Sequence, residues 1–239
     1  YSYLISSNKN NLGIIIDPAE SNKILDILKK KQLNLNYIFI THHHSDHTSG
    51  VAGLVKAYPE VKIFSPSELN SISVNLISDG NTITTNLNEF EVIHTPGHTL
   101  DHIILCDQKN NLIFVGDVLF RLGCGRVFEG TLEQMHNSLR KLLNFSDKML
   151  VYCGHEYTLN NIKFLEHIFK KNKILESAKK NIISDLSLNK RSIPFHLGDE
   201  KKYNPFLNQN CEMALELRSE NNYSDFEFFR YLREEKDSF

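Results

Sequence analysis

The sequence predicts a layered α/β domain followed by a smaller, mostly helical domain. Short apolar runs rich in Ile, Val, Phe and Tyr recur through the first 155 residues, and each ends in turn residues, as strands do. Helical patterns lie between some of these runs. Beyond about residue 155 the helical patterns continue and strand-like runs become rare. We therefore expect an α/β domain over residues 1–156 and a helical domain over residues 157–239.

The apolar runs place the expected strands along the chain. They lie at residues 13–16, 37–40, 61–64, 90–94, 102–106, 112–115 and 149–153. In the second region only residues 203–207 indicate a strand. Two helix starts are marked by capping-box spacing, Thr131 with Gln134 and Ser224 with Glu227. Apolar residues follow each box at helical period, so we expect helices that begin at these two positions.

Composition excludes several classes of protein. The chain has 239 residues, of which 41% are hydrophobic and 23% charged, as in ordinary globular proteins. The net charge of −2 provides no basic field for nucleic acid. No apolar run approaches the ~18 residues of a membrane span. The four cysteines form no CxxC pair, which indicates a reducing compartment, and we expect a cytoplasmic monomer. No signal peptide is visible. The chain begins with Tyr1 and not with Met, so we expect that an N-terminal piece is missing.

A cluster of histidines follows the expected strand at residues 37–40. The stretch Thr-His-His-His-Ser-Asp-His contains four histidines and one aspartate, and it occupies the loop that leaves this strand. Histidines are seldom buried without partners, so packing in the core does not account for this cluster. Imidazole and carboxylate groups are ligands that suit zinc or iron. The cluster therefore predicts a metal site.

Three later residues are placed to complete the site. His98, Asp117 and His155 each follow an expected strand, and each has a glycine directly before it. A lone histidine in such a position is usually only hydrogen-bonded. The joint placement after strands, where a rigid scaffold displays functional groups, predicts that the three residues join the cluster.

These motifs resemble the metallo-β-lactamase superfamily, with its pattern T-H-x-H-x-D-H, P-G-H, G-D and G-H. The resemblance implies an αββα sandwich with two divalent metal ions at one edge. It implies that His42, His44 and His98 hold the first metal, that Asp46, His47 and His155 hold the second, and that Asp117 bridges both. Zinc is expected, and iron or manganese also suits these ligands. Metal ions lower the pKa of bound water to about 7. The implied chemistry is therefore hydrolysis by a metal-bridging hydroxide, with Asp46 accepting the proton that the nucleophile retains.

Three further segments resemble glyoxalase II, the hydroxyacylglutathione hydrolase family. They are G-D-V-L-F leading to G-C-G-R-V-F-E-G-T, G-H-E-Y-T-L-N-N, and Y-N-P-F with R-E-E-K-D near the end. The resemblance implies that glutathione is bound by Arg126, Tyr157, Arg233 and Lys236. Arg and Lys also suit the two carboxylates of glutathione on chemical grounds. Phe128 stands where some members have tyrosine, so we expect it to form only pocket wall.

The implied reaction is hydrolysis of S-(R)-lactoylglutathione to lactate and glutathione, the second step of methylglyoxal detoxification. The alternatives are a persulfide dioxygenase with one iron, or a hydrolase of a different thioester or ester. A binding protein that has lost its activity is disfavoured by the intact ligand set. Asp101 stands where the family often has glycine, and it is either a partner of the ligands or a surface residue. We expect that the extra histidines His43 and His94 bind no metal.

Overall fold

Two β-sheets packed face to face form the centre of the molecule. The structure is a computed structural model and describes residues 1–7 and 9–239. One sheet has five strands and the other has six, and helices cover the outer face of each. The predicted αββα sandwich is confirmed.

The first sheet has the strand order β1-β2-β3-β4-β5. Its strands are β1 (Tyr3–Ser7), β2 (Leu12–Ile16), β3 (Asn34–Phe39), β4 (Lys62–Ser65) and β5 (Asn75–Leu76). Pairing is parallel from β2 to β5, and β1 runs antiparallel to β2. Between these strands lie α1 (Ser21–Lys31), α2 (Ser45–Thr48) and α3 (Val51–Ala57). Leu28 of α1 and Leu54 of α3 pack against Ile15 and Ile38 on the outer face of the sheet.

The second sheet has the strand order β13-β12-β9-β8-β7-β6. Its strands are β6 (Thr82–Thr84), β7 (Glu89–His94), β8 (Ile103–Asp107), β9 (Leu112–Gly116), β12 (Leu150–Cys153) and β13 (Phe195–His196). A short hairpin of β10 (Leu119–Phe120) and β11 (Gly123–Cys124) follows β9, and α4 (Leu132–Leu142) precedes β12. The side chain of Thr131 caps α4 through the predicted capping box.

The inner faces of the two sheets share one apolar layer. Ile14 and Phe39 from the first sheet pack with Phe90, Leu105 and Phe114 from the second. Side chains alternate between the two faces of a strand, so these residues lie on the face of each sheet that is turned inwards. The layer holds the strand ends of both sheets at a common edge.

Five helices follow β12 and pack on the outer face of the second sheet. They are α5 (Thr158–Ile168), α6 (Lys173–Asn189), α7 (Leu197–Tyr203), α8 (Glu212–Glu220) and α9 (Asp225–Ser238). Ser224 caps α9 through the second predicted capping box. Phe164, Phe206 and Phe229 from this region join Val115 and Val151 of the sheet in one continuous core.

The predicted strand at residues 203–207 is wrong. Helix α7 ends at Tyr203, and the chain then continues in turns. The side-chain oxygen of Asn204 accepts the backbone N–H of Phe206 at 3.0 Å, which closes a local turn. Phe206 and Leu207 are fully buried, so they show the apolar signal of a strand without strand pairing. The strand in this part of the chain is β13, which pairs with β12.

Candidate active site

The seven predicted metal ligands meet at one edge of the sandwich. They come from four chain segments, each of which follows a strand: the loop and short helix after β3, the loop after β7, the end of β9 and the end of β12. The residues are His42, His44, Asp46, His47, His98, Asp117 and His155. Because the strands are fixed by the core, the loops bring side chains that are far apart in sequence to one place.

Three imidazole nitrogens form the first group. The Nδ1 atom of His44 lies 3.2 Å from Nε2 of His42 and 3.1 Å from Nε2 of His98. Thr41 Oγ1 donates to Asp17 Oδ2, so Nδ1 of His42 donates to Thr41 and leaves its Nε2 as an acceptor. Nδ1 of His98 donates to the backbone oxygen of Arg126 at 2.8 Å, which likewise leaves its Nε2 for a metal.

The second group contains Asp46, His47 and His155. Nε2 of His155 lies 3.1 Å from Oδ2 of Asp46, and Nε2 of His47 lies 3.8 Å from the same oxygen. The Asp46 side chain is 55% exposed, whereas His47 is buried. This carboxylate is therefore open to the cleft, unlike the histidine beside it.

Asp117 lies between the two groups. Its Oδ2 is 3.5 Å from Nε2 of His98 and 3.2 Å from Nε2 of His155. Its Oδ1 is 3.5 Å from Nε2 of His47. The carboxylate thus faces both sets of nitrogens, as a bridging anion does between two cations.

The donor set fits a pair of cations. Oδ1 of Asp117 and Nε2 of His47 are both buried, and neither has a hydrogen-bond partner among the described residues. A buried polar atom without a partner costs free energy unless a water or ion completes it. Cations bound by these atoms and their neighbours would remove this cost. The site is a dinuclear metal site of nitrogen and oxygen ligands.

The protonation states of His42, His98 and Asp117 suit metal binding. Burial, with the neighbouring His102 and His47, holds the pKa of His42 far below its usual value, and burial also lowers the pKa of His98. Both imidazoles are therefore neutral near pH 7, the form that binds metal. Burial alone would raise the pKa of Asp117. The hydrogen bond with His155 and the nearby His47 outweigh burial, so the pKa of Asp117 lies below its usual value. Asp117 is therefore a carboxylate.

Asp17 and His102, which the sequence did not assign to the site, support the candidate ligands. Asp17 accepts the backbone N–H of Thr41 at 2.8 Å, and it accepts Nδ1–H of His47 at 2.9 Å. His102 accepts the backbone N–H of Asp117 at 3.1 Å, and its other nitrogen donates to Thr95. Both residues are buried. The signal for Asp17 was its position after the apolar run of β2, which is the same placement that identified Asp117.

Glycines allow the backbone to approach the site closely. A Cβ atom on Gly154 would lie 2.1 Å from Oδ1 of Asp117, and one on Gly125 would lie 1.9 Å from the backbone oxygen of Asp117. No side chain fits in either place. The glycines of the G-C-G and G-H motifs are therefore needed for space around Asp117.

A cleft of about 460 Å³ opens beside the metal ligands. All five predicted substrate-binding residues line it: Arg126, Phe128, Tyr157, Arg233 and Lys236. The Tyr157 ring stacks on His155 with centroids 5.0 Å apart, and the Phe128 ring lies 5.2 Å from that of His98. The cleft therefore joins the metal ligands to the basic residues of α9.

Arg126 and Arg233 share one counter-ion. Asp237 Oδ1 accepts from Nε of Arg126 and from Nη2 of Arg233, both at 2.9 Å. The side chain of Arg126 is 53% exposed, whereas that of Arg233 is 4% exposed. Arg233 also donates to the backbone oxygen of Cys124 at 3.2 Å. Arg126 is the more accessible of the two to a ligand in the cleft.

Lys236 lies on the same side of α9 as Arg233. Its Nζ donates to Oδ1 of Asn161 and lies 4.9 Å from the centroid of the Phe164 ring. Burial, with the nearby Arg233, lowers the pKa of Lys236 to about 8. An anion in the cleft would offset this burial and favour the charged form.

His43 and Asp101 lie beside the metal site. Nδ1 of His43 pairs with Oδ1 of Asp101 at 2.9 Å, and its Nε2 lies 3.1 Å from Oε1 of Glu129. Asp101 also accepts from Thr99 and Ser67, so it ties three loops together. Nε2 of His94 pairs with the backbone oxygen of Leu100. That His43 and His94 bind no metal stays a prediction.

Among the residues that the structure describes, none of the helices combines the length and apolar character needed to cross a bilayer.

Two family models together match the chain. A model of the metallo-beta-lactamase superfamily matches residues 1–73 and 65–155, and a model of the hydroxyacylglutathione hydrolase C-terminus matches residues 156–239. The hydroxyacylglutathione hydrolase of Pectobacterium carotovorum is 37% identical over 242 residues, which are 100% of this chain and 95% of that protein. The hydroxyacylglutathione hydrolase of Buchnera aphidicola is 40% identical over 237 residues, 98% of this chain and 93% of that protein.

A solved structure shares the fold at lower identity. The crystal structure of ETHE1 from Myxococcus xanthus is 23% identical and has a TM-score of 0.65, with 100% of this chain and 94% of that chain covered. This likeness shows the sandwich fold alone.

Proposed function

Because the chain belongs to the hydroxyacylglutathione hydrolase family of the metallo-β-lactamase superfamily, we propose that it hydrolyses S-(R)-lactoylglutathione to lactate and glutathione. Water adds to the thioester carbonyl, the carbon–sulfur bond breaks, and the thiol of glutathione leaves with a proton. One observation carries the proposal: a continuous cleft runs from the His and Asp cluster to Arg126 and Lys236. Five of the seven predicted ligands line this cleft, namely His44, Asp46, His98, Asp117 and His155. Full-length relatives with this name do not favour the dioxygenase alternative.

The metal ligands prepare the site for this chemistry. When bound, two divalent cations supply a water that is deprotonated near pH 7 and a Lewis acid for the carbonyl oxygen. His42, His44 and His98 would hold one cation, Asp46, His47 and His155 the other, and Asp117 both. We propose zinc, and iron and manganese suit the same donors.

Asp46 is our candidate for the proton acceptor. Its carboxylate is half exposed to the cleft and lies 3.1 Å from Nε2 of His155. Buried Asp117 is surrounded by the ligand histidines on both oxygens, so it has less freedom to exchange a proton. We therefore assign proton transfer to Asp46 and bridging to Asp117.

The basic residues would bind the glutathione part of the substrate. We propose that Arg126 and Lys236 bind its carboxylates and that Tyr157 and Phe128 form the walls between them and the reacting carbonyl. Arg233 is nearly fully buried and donates to backbone oxygens. We propose that it acts on the substrate mainly by fixing the wall of the cleft and the position of Asp237.

Two broader proposals accompany this function. We infer that residues 1–156 carry the catalytic site and residues 157–239 complete the glutathione subsite. We also infer a cytoplasmic location, since all four cysteines are free and buried, as is usual in a reducing compartment. A monomer stays a prediction.

The test is thiol release from S-(R)-lactoylglutathione, with metal counted in the same sample. We expect rapid release of one thiol per thioester, about two metals per chain, and loss of activity on chelation that added zinc reverses. S-Methylglutathione, which has no thioester, is the control substrate and should release nothing. Two bound metals without thiol release would reject this substrate and direct the search to other thioesters or esters.

A further inference from the structure

The turn between β10 and β11 connects Asp117 to Arg126. Within the hairpin, only Leu119 pairs with Cys124 and Phe120 with Gly123. The backbone groups of the turn find most of their partners elsewhere, on side chains from the last third of the chain. The last third therefore completes the structure of the turn.

Glu200 of α7 provides the first of these contacts. It is 1% exposed, and its Oε2 accepts the backbone N–H of Leu122 at 2.8 Å. The same oxygen accepts from Nδ2 of Asn204, also at 2.8 Å. One carboxylate oxygen thus joins the tip of the turn to the end of α7.

Two buried amides hold the carbonyl groups of the turn. Nδ2 of Asn204 donates to the backbone oxygens of Gly123 at 3.0 Å and Phe120 at 3.3 Å. Nδ2 of Asn161 on α5 donates to the backbone oxygen of Arg121 at 2.9 Å. A Cβ atom on Gly123 would lie 2.6 Å from this amide, so the turn packs tightly against α5.

The turn needs these contacts because of its conformation. Leu122 has φ of 58°, in the left-handed region. A leucine there costs about 1–2 kcal/mol and persists only where the surroundings enforce it. The buried bonds from α5 and α7 are the surroundings that do so.

The turn also carries part of the cleft wall. The ring of Phe120 lies 5.0 Å from that of Tyr157 and 6.1 Å from that of His155. Arg126 is the second residue after β11. A shift of the turn would therefore move the proposed glutathione subsite, while Asp117 keeps its own contacts with His102 and the ligands.

We propose that Glu200 and Asn204 are positioning residues that set the affinity for the glutathione part of the substrate by holding the 120–125 turn. Neither residue lines the cleft. The inference rests on the proposed function for its consequence on substrate binding, but the structural role can be tested without catalysis.

The kinetic test uses a conservative and a disruptive change at the same position. In Glu200→Ala we expect KM for S-(R)-lactoylglutathione to rise at least about tenfold, because a displaced turn weakens substrate binding. We expect kcat to stay within about threefold of the wild-type value and both metals to be retained, because the metal ligands are not displaced. Glu200→Gln should keep KM near the wild-type value, since both donors converge on one oxygen and the amide oxygen of glutamine can replace it. Asp199→Asn, a change beside Glu200 on the same helix, is the matched control and should change nothing.

Asn204→Ala provides a second route if Glu200→Ala does not fold. It leaves the bond between Glu200 and Leu122 possible and removes the bonds to Gly123 and Phe120, so a rise of KM is again expected. A folded Glu200→Ala and a folded Asn204→Ala that both keep wild-type KM would overturn the proposal. So would a fall in kcat and metal content with KM unchanged, because that pattern places the effect on the metal ligands.

Hydrogen exchange tests the clamp independently of activity. We expect the amides of residues 119–126 to exchange at least about tenfold faster in Glu200→Ala, with β8 unchanged as the internal control. Exchange at wild-type rates in this segment would overturn the positioning role. If the wild-type protein released no thiol but the exchange effect were present, the proposed substrate would be wrong and the positioning role would stand.

Discussion

At the scale of single residues, Asp17 supports two segments of the metal site at once. Its carboxylate fixes the backbone of Thr41 directly before His42, and it orients the ring of His47. Burial by itself would lower the pKa of His47, but the carboxylates of Asp17 and Asp117 outweigh burial and raise it. Because Asp17 accepts the proton on Nδ1, it leaves Nε2 of His47 as the nitrogen that would face a bound metal.

Replacing Asp17 by Asn should weaken metal binding without removing any ligand. We expect metal affinity to fall about 10- to 100-fold, the usual effect of losing the outer partner of a ligand histidine. Titration with zinc in competition with a chelator measures this change. Asp26→Asn, on the exposed face of α1, is the control, and an unchanged zinc affinity in Asp17→Asn would contradict the role given to this carboxylate.

The sequence alone identified the candidate ligands but not the residues that support them. His98, Asp117 and His155 each combine a side chain that can bind metal, a preceding strand and an adjacent glycine. The recurrence of this combination in three places predicted a shared site. Asp17 also follows a strand, but it is followed by Pro18, and an Asp-Pro pair is typical of an ordinary turn. His102 lies within the expected strand at residues 102–106, so it could not be distinguished from an ordinary strand residue.

At the scale of elements, α9 presents its charged residues to the cleft from one side. Arg233 and Lys236 are three residues apart on α9, so they share a helix face. Phe229 and Leu232 of the same helix are fully buried against the core. The position of Lys236 therefore depends on a well-packed helix.

Lys236→Ala should raise KM much more than it lowers kcat. The ammonium group would bind a part of the substrate remote from the thioester, and a hydrogen bond to a charged group contributes about 1.5–3 kcal/mol. We expect KM to rise about ten- to hundredfold in steady-state thiol release. Lys109→Ala, in the exposed turn between β8 and β9, is the control. An unchanged KM would argue against glutathione recognition by α9.

The structure confirms the seven predicted strands to within a few residues at their ends. The strands β1, β5, β6, β10, β11 and β13 were missed. Several have only two or three residues, too few to show alternation, and their pairing depends on neighbours distant in sequence. The error at residues 203–207 has a different cause. A buried segment of a helical region and a buried strand can show the same apolar run in the sequence.

At the scale of the whole molecule, the last third of the chain is not packed as a separate body. One core runs from the second sheet through α4 to α9. The change in pattern near residue 156 predicted a domain boundary there. The pattern does not show which apolar residues meet in space, so the core common to both sides could not be predicted. Glu200 lies inside this shared region.

The burial of Glu200 predicts a pH-dependent stability. Burial raises its pKa to about 7, and the hydrogen bonds from Leu122 and Asn204 offset only part of the effect. Between the usual value of 4.5 and about 7, the folded chain holds a proton that the unfolded chain has lost. The free energy of unfolding therefore falls as pH rises through this window, by about 3 kcal/mol from this group.

Glu200→Gln should remove this contribution. In urea unfolding of metal-free protein, the variant should gain stability relative to wild type between pH 5 and pH 8 by about 3 kcal/mol. The difference between the two proteins cancels the titration of all other groups. A constant difference across this range would show that Glu200 is already charged when the protein is folded at pH 5.

Strand β13 has a consequence for the solution behaviour of the molecule. It covers part of the edge of β12 by pairing with Leu150 and Val151, and it becomes a two-residue edge strand itself. Open edges offer unpaired N–H and C=O groups to strands of other chains, which is a common route to aggregation. By supplying β13, the helical part of the chain also protects the catalytic sandwich from edge-to-edge association with copies of itself.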